Sequence, residues 1–295
     1  MPKVSVLIPT YNAADYVTDA IESVFAQTYQ DFEVIVINDG STDNTEEVLR
    51  KYAPKIKSIY QENKGLPSAR NTGILAAEGQ YIALLDADDV YVETHLQELV
   101  SFLDDHPELG LVFANTEKFN RSGVVMPSFF AGKQIENIPY VEFPGDRRVF
   151  TRSIFKELIP GSFIPPSATV LRKECFEKVG LFDPYFRCTE DTDMWLRIDK
   201  EFKIGYINRV LARMRVHDNN ITGPTNSHIR LKYCVDLMYK VLRTRSDLDQ
   251  DTIQLIYKQL HSLYFDLGWH HFAREDYPSA RKYFLSSVPY HPFQV

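Results

Sequence analysis

Three carboxylates, Asp86, Asp88 and Asp89, directly follow the apolar run Tyr81-Ile82-Ala83-Leu84-Leu85. A run of this kind, bounded by turn residues, suits a strand inside a parallel sheet, and in open α/β sheets ligands bind beyond the carboxyl ends of the strands. Asp86 and Asp88 are two positions apart, so on extended backbone their side chains point the same way. A hard, oxygen-seeking cation such as Mn2+ or Mg2+ can take a carboxylate from either or both and keep places for phosphate oxygens and water. The competing reading is a polar loop in which Asp88 or Asp89 caps a helix that follows from about Val92.

Two other segments share the plan of a strand emptying into a polar turn. Val4-Ser5-Val6-Leu7-Ile8 leads into Pro9-Thr10-Tyr11-Asn12, and Phe32-Glu33-Val34-Ile35-Val36-Ile37 leads into Asn38-Asp39-Gly40-Ser41-Thr42-Asp43. With Asp86-Ala87-Asp88, in this order and at this spacing, the chain resembles the nucleotide-binding half of a family 2 glycosyltransferase of the GT-A type, over roughly residues 1 to 220. No single motif would suffice, because Asp-x-Asp and Asp-Gly-Ser are common. The order and spacing carry the resemblance.

The resemblance implies an α/β fold of GT-A (Rossmann-like) type, with a mostly parallel sheet flanked by helices. It also implies an inverting, nucleotide-sugar-dependent transferase using Mn2+ or Mg2+. Pro9, Thr10, Tyr11 and Asn12 would line the base and ribose, with Tyr11 stacking, and Arg70 would approach the base or phosphates. Asp39 ends a strand, where its carboxylate can accept the N3–H of uracil, which cytosine lacks; thymine shows the same edge, and guanine N1–H is a further match. UDP is therefore the expected nucleotide. In the family pattern Asp86, with Ala87 beside it, maps to nucleoside contact and Asp88 to the cation, while His217 matches a position close to metal or diphosphate. Thr189-Glu190-Asp191-Thr192-Asp193 resembles the family's Glu-Asp motif, which maps the catalytic base to Asp191, and a helix N-terminus would keep that carboxylate ionised. Each residue has a plain structural alternative: a turn for Asp39-Gly40, a solvated helix position for Arg70, a helix cap for Asp89 or Asp191, and a hydrogen-bonded structural histidine for His217.

Bulk properties exclude several classes. A net charge of −7 without a basic stripe interleaved with aromatics argues against nucleic acid as a partner. No apolar run approaches the ~20 residues that span a bilayer, and Met1-Pro2-Lys3 leads straight into a strand. The expected location is cytoplasmic, with peripheral association at the inner face of the membrane left open. Cys175, Cys188 and Cys234 show no Cys-x-x-Cys spacing, so neither a disulfide framework nor a zinc knuckle is indicated.

To position these residues, strands and helices must alternate. Strands are expected near 4–9, 32–37, 56–60, 80–85 and 110–114, separated by helices near 14–27, 43–52, 67–77 and 92–104. Between about 118 and 166 periodicity fails while aromatics accumulate, which suits either a core-covering excursion or the acceptor pocket and its lid. A strand at 167–171, helices near 173–179 and 191–200, and a strand-like run over 203–216 follow. From about 227 only helices are expected, near 228–243, 250–272 and 277–288. The expected division is thus a GT-A domain over 1–226, nucleotide-binding to about 117 and acceptor-side beyond, with a helical extension over 227–295.

In that extension Tyr264-x2-Leu267-Gly268-x2-His271, Ala280-x3-Phe284 and Pro292 resemble one tetratricopeptide repeat, Tyr264 and His271 departing in residue type; a plain helical hairpin is the alternative. Such a unit offers a face for a homo-oligomer contact or a protein partner. The acceptor, a saccharide, a lipid-linked glycan or a protein, has no motif. Two rival functions remain at this level: a nucleotidyltransferase acting on a sugar phosphate, whose Gly-rich phosphate loop is missing here, and a non-catalytic scaffold, against which the intact Asp39, Asp86, Asp88 and Asp191 argue.

Overall fold

The computed structural model describes residues 1–217 and 227–290. In chain order the elements are β1 (Val4–Thr10), α1 (Val17–Phe25), β2 (Phe32–Asp39), α2 (Thr45–Arg50), β3 (Lys57–Gln61), α3 (Leu66–Ala76), β4 (Tyr81–Leu84), β5 (Val90–Tyr91), α4 (His95–Asp105), β6 (Leu109–Asn120) and β7 (Gly123–Met126). They continue with β8 (Tyr140–Phe143), β9 (Arg147–Phe150), α5 (Phe155–Leu158), β10 (Thr169–Arg172), α6 (Glu174–Val179), α7 (Glu190–Glu201), β11 (Lys203–Arg215), α8 (Ser227–Thr244), α9 (Gln250–Phe272) and α10 (Tyr277–Ser287). Two compact units emerge. The first comprises Met1–Ile154, Phe163–Tyr185 and Met194–His217; the second comprises Phe155–Ser162, Phe186–Asp193 and the chain from 218 onward, described over 227–290.

The first unit is built on one sheet, in the order β3-β2-β1-β4-β10-β6-β11-β9-β8, with β5 on β11 and β7 on β6. β1 pairs in parallel with β2 and β4, and β2 with β3, so these strands end on the same side. Every residue of β1 is buried, as the unbroken apolar pattern of a two-sided interior strand requires. β10 enters antiparallel between β4 and β6, and β6 and β11 run parallel to their ends. Gly73 lies where α3 crosses this sheet: a Cβ there would meet Ile37 Cδ1 at 2.8 Å and Leu7 at 3.2 Å, so glycine lets the helix come this close without displacing those side chains.

Two expectations change. The helix expected over 14–27 spans only Val17–Phe25, and the residues before it form a turn in which the Ala13 and Ala14 N–H groups donate to Thr45 Oγ1 (3.0 Å) and Asp43 Oδ2 (3.1 Å). The aperiodic stretch from 118 contains paired strands: β6 runs on to Asn120 and turns back as β7, and β8 pairs antiparallel with β9. Phe130, Phe150 and Phe163 gather around Phe113, most of them ring to ring with it and with Tyr206, so they belong to the core.

In the second unit α9 and α10 form a hairpin through the Ala273–Asp276 turn. Asp249 and Asp276 cap the two helices by accepting from Thr252 N–H and Ser279 N–H. A Cβ on Gly268 would lie 2.6 Å from the Phe284 ring, and Leu267 and Ala280 are buried, so a glycine stands where the large ring packs between the two helices. Tyr239 bridges the hydroxyls of Tyr264 (3.0 Å) and Tyr290 (2.7 Å), joining α8 to the hairpin. Pro292 lies outside the described residues.

Candidate active site

The first half of the site stands at the ends of β1 and β2. Pro9 and Thr10 close β1 and are buried, whereas Tyr11 projects half-exposed. Asn12 adopts φ 49°, a left-handed conformation that asparagine tolerates better than most residues. Its N–H donates to Ser41 Oγ (3.0 Å) and its Oδ1 accepts from Thr42 N–H (2.8 Å), so the loops after β1 and β2 are laced together.

Asp39 ends β2 at 2% exposure. Its Oδ1 accepts from Gln61 Nε2 (2.6 Å) and Lys64 N–H (2.9 Å), and its Oδ2 from Gly65 N–H (2.8 Å). A carboxylate has about four acceptor positions, so these donors leave room for one more. Gly40 beside it has φ 73°, and a Cβ there would lie 2.7 Å from Asn63 N, so the turn admits only glycine.

Helix α3 connects this corner to the second half of the site. Asp39 holds the residue before its first turn, and Arg70 within it sends Nη2 to Asp86 Oδ1 at 2.7 Å. Arg70 is buried, with its guanidinium 5.5 Å from the Phe182 ring centroid. Asp86, Ala87 and Asp88 follow β4, as expected from their place in the sequence. Asp88 Oδ2 meets His217 Nε2 at 3.0 Å, and His217 stacks on Tyr16 with centroids 4.6 Å apart.

Asp89 is the buried anchor of this turn rather than part of its exposed edge. Its carboxylate accepts from Ser167 Oγ (2.6 Å) and Arg215 N–H (2.9 Å), and Ser167 Oγ in turn accepts Asp86 N–H (3.1 Å). Arg215 also donates Nε to Asp88 O (3.0 Å) and Nη2 to Asp19 (2.7 Å). Ser167, Arg215, Tyr16 and Asp19 carry no motif of their own: Ser167 lies just before β10, Arg215 ends β11, and Tyr16 and Asp19 lie at the start of α1.

The electrostatics follow from crowding. Burial, and then the Asp86 charge, raise the Asp88 pKa, with the hydrogen bond from His217 working the other way. Burial, followed by the charges of Asp88 and Asp86, pushes Asp89 well up. Among the described residues no set of three or more His, Cys, Asp or Glu forms a metal cage. The Asp88–His217 pair nevertheless fits a divalent ion, because adjacent ligands on an octahedral centre at ~2.1 Å stand about 3 Å apart. A carboxylate with an imidazole suits Mn2+.

Asp191 is described within the second unit, in the first turn of α7. Its Oδ1 accepts from Thr192 N–H (2.6 Å) and Thr192 Oγ1 (3.2 Å), and two residues on, the buried Asp193 pairs with Lys240 at 2.6 Å.

The family model for glycosyl transferase family 2 matches residues 5–179, which is more than half of the chain. The chain belongs to that family. An uncharacterized glycosyltransferase of Nostoc sp., alr2836, is 45% identical over 229 residues, covering 74% of this chain and 66% of that protein. An uncharacterized glycosyltransferase of Rickettsia typhi, RT0329, is 33% identical over 224 residues, covering 75% and 66%. The chain therefore spans just under two thirds of the length of these relatives.

Solved structures share the GT-A fold. Staphylococcus aureus TarS 1-349 in complex with UDP superposes with a TM-score of 0.59 at 18% identity, over 99% of this chain and 93% of that one. The mannosyltransferase PcManGT of Pyrobaculum calidifontis, in complex with GDP-Man and Mn2+, gives 0.60 at 20% identity, over 98% and 75%.

Proposed function

We propose that this chain is an inverting, metal-dependent glycosyltransferase that moves a hexosyl group from a UDP-sugar to an acceptor hydroxyl in glycan or polysaccharide biosynthesis. The observation that carries this reading is the 3.0 Å contact of Asp88 with His217 beside the Arg70–Asp86 pair, at the ends of parallel strands in a family 2 chain. The UDP-, UDP-GlcNAc- and GDP-Man-bound neighbours lend support to a nucleotide-sugar donor.

In this reading the fourth acceptor position of Asp39 takes the uracil N3–H, and the projecting Tyr11 ring covers the base. Pro9, Thr10 and Asn12 border the nucleoside, and Asp86, oriented by Arg70, takes the ribose. Asp88 and His217 would hold Mn2+ or Mg2+, which would supply positive charge against the departing diphosphate. Asp191 accepts the proton of the attacking hydroxyl, and single displacement turns an α-linked donor into a β-linked product. The acceptor is a saccharide, a lipid-linked glycan or a protein. No helix among the described residues is long and apolar enough to cross a membrane.

Calorimetry with UDP and CDP, with and without Mn2+, tests the donor site. UDP is expected to bind more tightly than CDP, and Asp88→Ala should remove the gain from Mn2+. Equal affinity for the two nucleotides, or an Asp88→Ala protein that binds UDP-Mn2+ unchanged, ends the assignment. Asp191→Asn should keep donor affinity and lose roughly 10²–10⁴-fold in turnover. Release of pyrophosphate from a nucleotide and a sugar phosphate would point to the nucleotidyltransferase instead.

A further inference from the structure

In the β6–β7 hairpin Val124, Val125 and Met126 are 50%, 52% and 39% exposed, and Pro127 after them is exposed as well. Elsewhere in the first unit exposed large apolar residues such as Tyr60, Leu75 and Val141 stand singly. Single ones are ordinary on a protein surface, whereas a continuous run is a liability unless something covers it. Among the described residues β7 pairs with β6 alone, so its outer edge is open too.

The charge around this run is one-sided. From Lys118 to Ile135 the chain holds Lys118, Arg121 and Lys133 and no carboxylate, in a protein of net charge −7. Among the described residues none of these three forms an ion pair, whereas Arg213 and Arg215 at the end of β11 are paired with Glu117 and Asp19. At ~0.1 M salt charges act over about 10 Å, so a partner at the hairpin meets this local excess and not the net charge.

The fold holds the hairpin in shape. Lys118 pairs with Met126, Phe119 with Val124 and Asn120 with Gly123. In the turn Asn120 Oδ1 accepts Ser122 N–H at 2.8 Å, and Gly123 takes φ 122°. Beyond β7, Phe129 N–H donates to Thr116 O (2.7 Å) and Phe130 N–H to Asn115 Oδ1 (3.2 Å), which ties the chain back to β6. Lys133 Nζ lies 4.3 Å from the centroid of the Phe129 ring held by that tie. Residues directly opposite on paired strands share a face, so Lys118 stands beside Met126, and Arg121 occupies the turn.

A free anion or a nucleic-acid backbone has no use for Val-Val-Met, and an apolar groove has none for three cations without carboxylate partners. A bilayer with anionic headgroups takes both, apolar side chains at the acyl boundary and lysine or arginine at the phosphates. We propose that the β6–β7 hairpin is a membrane contact, in which Val124, Val125 and Met126 enter the interface of an anionic bilayer while Lys118, Arg121 and Lys133 remain at its headgroups. β4 and β6 are both antiparallel to β10, so they run the same way, and the hairpin leaves the sheet at the end where Asp86 and Asp39 stand. On the glycosyltransferase reading above, this favours the lipid-linked glycan among the acceptors; the contact itself does not rest on that reading.

The test is cosedimentation of the full chain with vesicles of equal parts phosphatidylglycerol and phosphatidylcholine, without nucleotide or metal. Wild type should bind these vesicles, bind pure phosphatidylcholine about tenfold or more weakly, and lose affinity as salt is raised. Each cation near an anionic surface is worth about fivefold, so Lys118→Gln/Arg121→Gln/Lys133→Gln should bind about a hundredfold more weakly. Val124→Ser/Val125→Ser/Met126→Ser should weaken binding by about tenfold or more. Tyr60→Ser/Leu75→Ser, on β3 and α3, should bind like wild type. Thermal unfolding checks that each variant is folded, and free glycerol phosphate should not compete.

Vesicle binding that either hairpin variant leaves unchanged overturns the contact, as does a wild type that ignores phosphatidylglycerol. Competition by free glycerol phosphate also overturns it, by making the cations a site for a soluble phosphate. So does a dimer in sedimentation velocity that the serine variant of the hairpin dissolves, which would assign the apolar run to a second copy of the chain. The UDP titration is a separate result, and its failure would overturn the donor reading alone.

Discussion

Asp39 and the Asp86–Asp89 run both end buried parallel strands of the same sheet, yet their carboxylates have opposite surroundings. Asp39 is met by donors from Gln61, Lys64 and Gly65, so its carboxylate is hydrogen-bonded by its own chain and fastens the entry to α3. The later run sets carboxylates side by side, and Asp88 and Asp89 both resist ionisation through burial and mutual repulsion. A strand end with an aspartate is thus not one kind of site. One holds the fold and presents a remaining lone pair; the other concentrates negative charge that a cation would relieve.

Substitution by asparagine should separate the two most sharply. Asp39→Asn turns an amide NH2 toward groups that are themselves donors, so about 2–4 kcal/mol of stability is expected to go, measured by urea unfolding. Asp88→Asn relieves repulsion and should change stability by less than about 1 kcal/mol. Equal losses would break the comparison.

Metal binding gives the second contrast. With Mn2+ at about a hundred times its dissociation constant, wild type should gain about 2.7 kcal/mol, seen as a rise in Tm that EDTA reverses, and Asp88→Asn should gain none. The same rise in both proteins would mean that the ion binds elsewhere.

Acid titration supplies a smaller effect. His95 is buried against Tyr91, donates Nδ1–H to Leu211 O at 3.1 Å, and has its pKa lowered to about 3, mainly by burial. Below ~6.5 the unfolded chain takes up a proton that the folded state refuses, so stability falls with pH from ~6.5 down toward the folded value. Over the first pH unit of that window the loss should be about 1 kcal/mol, and His95→Phe should flatten it. With that background gone, the residual acid dependence comes from the remaining shifted carboxylates, Asp88 and Asp89 among them. An unaltered slope in His95→Phe would show that other groups dominate.

The legibility of this molecule tracks how local each feature is. β1, β2 and β4 could be read from the sequence because they are buried on both faces, and an unbroken apolar run has a clear end at Asp39 or Asp86. The short strands β8 and β9 escaped because each has four residues without alternation, half-buried ends around an exposed middle in β8 and half-buried then buried in β9, too brief a pattern to show a period. Ser167 and Arg215 were invisible for another reason. Ser167 reaches the turn because β10, which follows it, is inserted antiparallel between β4 and β6, and Arg215 because β11 runs parallel to β6, and nothing near either residue in the chain encodes those neighbours.

The lacing of the loops after β1 and β2 has a consequence for kinetics. Asn12, Ala13 and Ala14 give their N–H groups to Ser41, Thr45 and Asp43, so the ordering of this rim is accomplished when the chain folds and not when a nucleotide arrives. These amides should exchange slowly with deuterated water in the ligand-free protein. Nucleotide capture should then be a single fast phase whose rate rises linearly with concentration, with no plateau from a loop that must first find its shape.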